Sequence, residues 1–299
     1  MKDISVIIPT YQHKDRDIHL GLLLDTLLVE SNLKYINEIL IIDNGCALDG
    51  SSFETQSAEI KIIKEPLLGL NNARNCGISN ASGFIFAFLD DDVTVSKDWS
   101  KGIYNGYNNR GVLCVGGSVS LGEYNLKLPN WLSDYFKRFL FPPNFPENSG
   151  ILKLPYYLIG ANMSFKKEVF DKFGLFNSEL DRKGNNLLSN GDTEFIIRLP
   201  TQSIWYSDEA RVSTIVKIDR FTRFFMIKRL FWQGISDYIM VKENGTSNFY
   251  DKNEIFFSNK FLKIFFHKLV TLKLFEVFCI VVRIVGFRMG IFYIKEKRG

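Results

Sequence analysis

The sequence predicts an α/β fold with a mostly parallel central sheet, followed by a C-terminal helical extension. Three observations predict it. Short apolar runs alternate with helical patterns through residues 1–115, the alternation that builds right-handed strand–helix–strand units. Three of those runs end in polar or acidic residues (Thr10-Tyr11, Asp43 and Asp90-Asp91-Asp92), which a parallel sheet gathers along the edge where open sheets bind ligands. The chain then closes on a stretch that is both apolar and basic.

Taken in order, Ile4–Ile8 is the first strand, closed by Pro9-Thr10-Tyr11. Leu20–Leu33 carries helical periodicity. Glu38–Asp43 is a second buried strand ending in an acid, and Ile60–Ile63 a short third. A helix over Asn71–Asn80 follows the Gly69 turn, and the run Phe84–Leu89 is a buried strand leading into the acids at 90–92. On an extended backbone side chains alternate, so Asp90 and Asp92 are expected on one face and Asp91 on the other. Residues 116–155 are irregular and rich in Pro, Asn and aromatics, the mark of a long surface loop region. Regularity returns at Leu158–Phe165, with a helix over 166–173 and another over Thr193–Leu199, headed by Asp192 as cap or first-turn residue. The expected domains are 1–225, divided into a ligand-binding half (1–115) and an acceptor half (116–225), and an extension over 226–299.

Composition narrows the function class. A hydrophobic content of 46% and an aromatic content of 14% supply an ample core. The net charge is +4, yet residues 252–299 hold ten of the Lys/Arg and three of the acids, leaving 27 basic and 30 acidic residues before them. The positive excess therefore belongs to the tail. With so much apolar surface beside it, that tail suits an anionic lipid surface and not a nucleic acid. Cys46, Cys76, Cys114 and Cys279 are widely spaced, without a CxxC pair, which argues for free thiols in a reducing cytosol. The first strand begins almost at once, leaving no room for a signal peptide, so the body is expected in the cytoplasm.

Clustered carboxylates at a strand end suit Mg²⁺ or Mn²⁺ carrying a diphosphate. Around them stand further elements in a fixed order: Val6-Ile7-Ile8-Pro9-Thr10-Tyr11, Ile41-Ile42-Asp43-Asn44-Gly45, Leu70–Gly77, Phe88-Leu89-Asp90-Asp91-Asp92, Gly160-Ala161-Asn162-Met163 and Gly191-Asp192-Thr193-Glu194. With these elements, over about residues 3–240, the chain resembles the family 2 glycosyltransferases, inverting enzymes of the GT-A fold that use nucleotide-diphosphate sugars.

The resemblance implies roles. Pro9, Thr10 and Tyr11 line the base pocket, Asp43 accepts a hydrogen bond from the base, and Arg74 stands beside it. Asp92 binds the metal with Asp90, while Asp90 or Asp91 reaches the ribose or a metal-bound water. Asp192 is the candidate catalytic base that deprotonates the attacking hydroxyl. Gly160, Ala161, Asn162, Glu194 and Trp232 are expected at the acceptor. Many relatives complete the metal shell with a His. Here the corresponding stretch, Val212–Val216, has none, so water or Thr214 fills the position or the metal is held less tightly.

The chain carries Trp232-Gln233 where processive synthases carry Gln-X-X-Arg-Trp, and it lacks their several long transmembrane helices, so a single transfer is expected. The implied activity is a hexosyltransferase of class EC 2.4, with a UDP-sugar as default donor and a saccharide or lipid-linked acceptor in cell-surface polysaccharide synthesis. A catalytically inactive nucleotide-sugar-binding or scaffold subunit is the alternative, opposed by the intact Asp90, Asp92 and Asp192. A nucleotidyltransferase would need a Gly-rich loop after the first strand, and Pro9-Thr10-Tyr11-Gln12 is not one.

The tail sets Phe256, Phe257, Phe261 and Phe265 against Lys260, Lys263 and His267, the composition of an interfacial helix. Val277–Ile294 is long enough to cross a bilayer, but Arg283 and Arg288 would each cost about 2.5–3.5 kcal/mol there. Peripheral attachment to the inner face of the cytoplasmic membrane is therefore expected. Gly286 and Gly290 have the spacing of a close helix contact.

Overall fold

The computed structural model describes residues 2–12, 15–48, 58–122, 128–153, 156–180, 182–183, 186–215, 217–244 and 273–298. The Phe/Lys run expected as an interfacial helix over 255–270 lies outside them. Chain contacts define two compact units, one from residues 1–125, 142–178 and 198–216, the other from 126–141, 179–197 and 217–299. The segment carrying Asp192, assigned from sequence to the acceptor half, therefore clusters with the C-terminal helices.

The first unit is the α/β body. Its strands are β1 (Ile4–Thr10), β2 (Ile36–Asn44), β3 (Glu59–Glu65), β4 (Ile85–Leu89), β5 (Val93–Val95), β6 (Cys114–Leu121), β7 (Gly150–Ile151), β8 (Asn162–Lys166) and β9 (Ile204–Thr214). Among the described residues they form one nine-stranded sheet of order β3-β2-β1-β4-β8-β6-β9-β5, with β7 on β9. The β3-β2-β1-β4 portion is parallel, as the strand–helix alternation predicts. β8 then enters antiparallel to both β4 and β6, and β6 pairs with β9 in parallel. The β1 and β2 residues that read as near-continuous apolar runs are buried along their whole length, as strands covered on both faces must be. Helices α1 (Arg16–Leu27), α2 (Glu30–Leu33), α3 (Leu70–Asn80), α4 (Trp99–Gly106) and α6 (Lys167–Phe173) belong to this unit. The single helix expected over Leu20–Leu33 is broken at Leu28-Val29, where the backbone of Val29 turns extended.

Two sequence expectations are corrected. The irregular region begins later than residue 116, because β6 runs on to Leu121. Gly116-Gly117 reads as a chain breaker, yet glycine is there for space. A Cβ on Gly117 would stand 1.8 Å from the carbonyl oxygen of Ala210 on β9. Asp90-Asp91-Asp92 is a tight turn joining β4 to β5, so the alternation expected of an extended strand stops at Leu89.

The second unit is helical: α5 (Asp134–Lys137), α7 (Gly191–Ile196), α8 (Arg223–Asn244) and α9 (Leu274–Arg298). α8 and α9 pack backbone to backbone through small residues. A Cβ on Gly234 would lie 2.0 Å from the carbonyl oxygen of Arg283, and one on Gly286 equally close to that of Phe231. This is the close contact that the glycine spacing predicts. Arg283 points into this packing and meets Asp237 through Nη2 at 2.6 Å and Nε at 2.8 Å, both residues buried. α9 is long and apolar enough over Leu274–Lys295 to cross a membrane, with a mean hydropathy of 2.0 and 33% of the window buried. Of the two arginines counted against a span, Arg283 is thus paired inside the protein, and Arg288 alone is exposed.

Candidate active site

In the first unit, the site grows from the C-terminal ends of β1, β2 and β4. Register places Thr10 opposite Asp43, and Ile7 opposite Phe88. β2 and β3 lie to one side of β1 and β4 to the other, so the switch in strand order falls between β1 and β4. That is where an open sheet leaves a crevice. Across it Thr10 Oγ1 donates to Asp91 Oδ2 at 2.5 Å. Asp91 is thereby committed to holding the turn, while Asp92 is buried (8% exposed) and Asp90 remains 40% exposed.

Asp43 is fully buried at the end of β2. Its Oδ2 accepts the Leu48 N–H at 2.8 Å, whereas Oδ1 is buried without a hydrogen-bond partner among the described residues. A buried carboxylate oxygen left bare is costly. Tyr11, 48% exposed, lies beside Gly45, where a Cβ would come within 3.2 Å of its ring. Pro9 is buried in β1 opposite Ile42.

Arg74 reaches this edge from α3. It is buried, donates from Nη1 to Asn71 Oδ1 at 3.2 Å, sits 5.4 Å from the Phe176 ring centroid, and brings Nη2 to 3.9 Å from Asp90 Oδ1. Among the described residues Arg74 Nε has no hydrogen-bond partner. The helix is held by residues that sequence reasoning gave no role. Asn44 Oδ1 accepts the Gly69 N–H at 2.7 Å and its amide donates to the carbonyls of Glu65 and Leu67, fixing the turn into α3. Asn71 and Asn75 donate to the carbonyls of Asn177 and Phe176, holding the Phe176 ring under Arg74. The readable signal was Asn44 itself, a polar residue directly after the strand-ending acid.

Among the described residues no three His, Cys, Asp or Glu converge as a metal-ligand set. The donor set still fits Mg²⁺ or Mn²⁺, which are often held by one or two carboxylates and complete their shell with phosphate oxygens and water. The stretch corresponding to the missing His does lie beside the turn: the Ile215 N–H donates to the Asp92 carbonyl at 2.9 Å, and Thr214 pairs with Val93.

The expected acceptor residues of this unit are inward-facing. Gly160, Ala161 and Asn162 are all buried. Asn162 accepts the Trp99 indole N–H at 3.0 Å and donates to the carbonyls of Ser118 and Ala210. Its amide is spent on joining β8, β6 and β9, which is a positioning task.

In the second unit, Asp192 stands in the first turn of α7, partly exposed, and its Oδ1 accepts the Thr193 N–H at 2.8 Å. The helix starts earlier than the sequence suggests, with Asn190 as its cap in the left-handed conformation (φ 73°). Glu194 is buried on the same turn. Trp232 on α8 is half-buried and packs edge-on against Tyr293, ring centroids 5.8 Å apart. The segment before Asp192 is tied to α8: Ser189 N–H donates to Ser236 Oγ, Ser189 Oγ to Gln233 Oε1, and Asn190 Nδ2 to Asp237 Oδ1.

Residues 5–174 match the profile of the family described as Glycosyl transferase family 2. A curated relative, the glucosyl-dolichyl phosphate glucuronosyltransferase of Haloferax volcanii, is 27% identical over 185 residues, spanning 58% of this chain and 56% of the relative. The chain thus spans little more than half of that relative's length. Two solved structures share the fold. The mannosyltransferase PcManGT from Pyrobaculum calidifontis, in complex with GDP-Man and Mn²⁺, is 14% identical with a TM-score of 0.54, over 97% of this chain and 73% of that one. TarS 1–349 of S. aureus is 16% identical with a TM-score of 0.51, over 99% and 92%.

Proposed function

The chain belongs to glycosyl transferase family 2, and from that membership we propose an inverting enzyme that moves a sugar from a nucleotide-diphosphate sugar to a glycan or lipid-linked saccharide. Uridine is the proposed nucleoside, and the setting is cell-surface polysaccharide synthesis. The observation that carries the reading is the bare, buried Oδ1 of Asp43, one strand away from the turn of acids at the sheet's switch point.

Each residue then has a task. Asp43 Oδ1 accepts an N–H from the base, and the exposed Tyr11 ring stacks on it. Thr10 holds Asp91, which fixes the turn so that Asp90 and Asp92 can carry a divalent cation. Arg74 orients Asp90 and keeps positive charge at the phosphate end of the site. When bound, the cation supplies electrostatic stabilisation for the negative charge that develops on the departing diphosphate. Asp192 takes the proton of the attacking acceptor hydroxyl at a carboxylate oxygen, the general-base step that an inverting transfer needs.

Attachment is proposed at the inner face of the cytoplasmic membrane through the C-terminal helices. The support is the stripe of exposed apolar side chains along α9, including Leu274, Phe278, Val281, Val285 and Phe292, opposite the face that packs on α8. An exposed stripe of that length needs a partner.

A thermal-shift panel of UDP-, GDP- and dTDP-sugars with Mn²⁺ tests the donor, since a ligand that binds only the folded state raises the melting temperature by mass action. A rise with the UDP-sugars is expected. No rise with any of the three overturns the reading.

A further inference from the structure

We propose that Arg182 and Arg229 form a phosphate-binding site beside the segment that carries Asp192, and that it takes a phosphate group borne by the acceptor. The inference rests on the reading of Asp192 as the base, because a group bound beside that residue belongs to the substrate that loses the proton.

Two guanidinium groups converge on consecutive residues. Arg182 Nε donates to the Leu188 carbonyl at 3.2 Å, and Arg229 Nη1, from α8, donates to Ser189 Oγ at 3.3 Å. Both anchors lie within one short stretch of Asp192. Among the described residues neither arginine makes an ion pair with a carboxylate. Asp237, the acid in the same network, is already engaged by Arg283 on Oδ2 and by the Gln233 amide at 2.8 Å on Oδ1. Asp237 offsets part of the charge on Arg229, which Arg182, Arg283 and Arg220 oppose, so the cluster keeps an excess of positive charge. Its effect registers on Arg229, whose guanidinium is brought down to about 9 by burial first and by the charge of Arg182 next.

Phosphate is the anion that this arrangement fits. A guanidinium presents paired N–H groups in a plane, matched to phosphate oxygens, and two of them together suit a dianion better than a single carboxylate. The donor's nucleotide residues all lie in the other unit, so this site is not needed for its base or ribose. The exposed apolar stripe of α9 belongs to the same unit as the arginines, and a prenyl chain on the phosphate matches that surface.

The test measures equilibrium binding of farnesyl phosphate, farnesol, inorganic phosphate and UDP with Mn²⁺ to the full chain, by calorimetry. Farnesyl phosphate is expected to bind at least about tenfold more tightly than farnesol. Inorganic phosphate should compete with it. R182Q, at an exposed position, should remove about tenfold of that preference, R229Q at least as much, and R182K should restore part of it. Melting curves identify any variant that fails to fold, and R182Q carries the test if R229Q does. Equal binding of farnesol and farnesyl phosphate, or a preference unchanged in R182Q, overturns the proposal. So does a matching loss of UDP affinity in R182Q, which would assign the arginines to the donor. A protein that binds farnesyl phosphate through these residues yet transfers no sugar keeps the phosphate site and removes the transferase reading.

Discussion

Thr10 and Asp91 are joined by a 2.5 Å hydrogen bond that spans the ends of β1 and β4. It ties the residue closing the first strand to the middle acid of the turn, so the two flanking acids inherit a fixed backbone. Thr10→Val keeps the shape and removes the donor. The expected outcome is a roughly tenfold weaker affinity for the nucleotide sugar with Mn²⁺, of the order of one lost charge-assisted hydrogen bond. Titration calorimetry checks it, and an unchanged affinity would deny the turn its dependence on Thr10.

Asp43→Asn keeps an oxygen for the Leu48 N–H but turns an amide N–H₂ toward the base. A uracil N3–H then meets a donor, and uridine nucleotides should bind at least about tenfold less tightly. Cytidine nucleotides, whose N3 is an acceptor, should lose less or gain. Competition between UDP and CDP for the site measures the ratio.

Asp192→Asn should abolish turnover, by about 10²–10⁴-fold in kcat, while donor affinity stays as in the parent. Single-turnover transfer beside nucleotide binding separates the two. Transfer at the parental rate would remove Asp192 from the role of base.

Glu38 offers a pH test away from the site. Burial alone would raise its carboxyl, but the Ser82 N–H, the hydroxyls of Ser5 and Ser82, and Lys61 outweigh that and bring it down to about 2 from an ordinary 4.5. A carboxyl depressed on folding adds stability that is present above its unfolded value and lost as pH falls through the folded one. Glu38→Gln should therefore lower the melting temperature at pH 7, with the gap to the parent closing between about pH 4.5 and 2. Thermal melts across that range check the sign.

Arg283→Met alone leaves Asp237 buried without its ion-pair partner, and a cost of about 3–5 kcal/mol is expected. Pairing it with Asp237→Leu should recover most of the loss. Chemical denaturation of the single and double variants, read as a cycle, decides it.

The parallel half of the sheet was legible because strands buried on both faces read as unbroken apolar runs, as in Ile4–Ile8 and Glu38–Asp43. The Asp90–Asp92 cluster was legible as chemistry but not as geometry. Nothing in three identical residues says that they close into a tight turn, so Asp91 was read as facing away when it is bound to Thr10. β6 was hidden by Gly116-Gly117, whose lack of side chains reflects the carbonyls crowding them from β8 and β9. Asn162 reads like a site residue, yet its amide is consumed by the core. The placing of Arg182 near Arg229 had no local signal at all, since it depends on a fold that brings residues 182, 188, 189 and 229 together.

Leu180 and Leu188, the apolar residues flanking the approach to Asp192, are buried among Ile235, Ile239 and Met240 of α8 and Ile294 of α9. A truncation that discards everything after residue 225 to gain solubility would unclothe those leucines. Such a shortened protein would lose activity for a reason unrelated to reaching its substrate. In the intact chain the same shared packing couples the approach to Asp192 to the seating of the last helix.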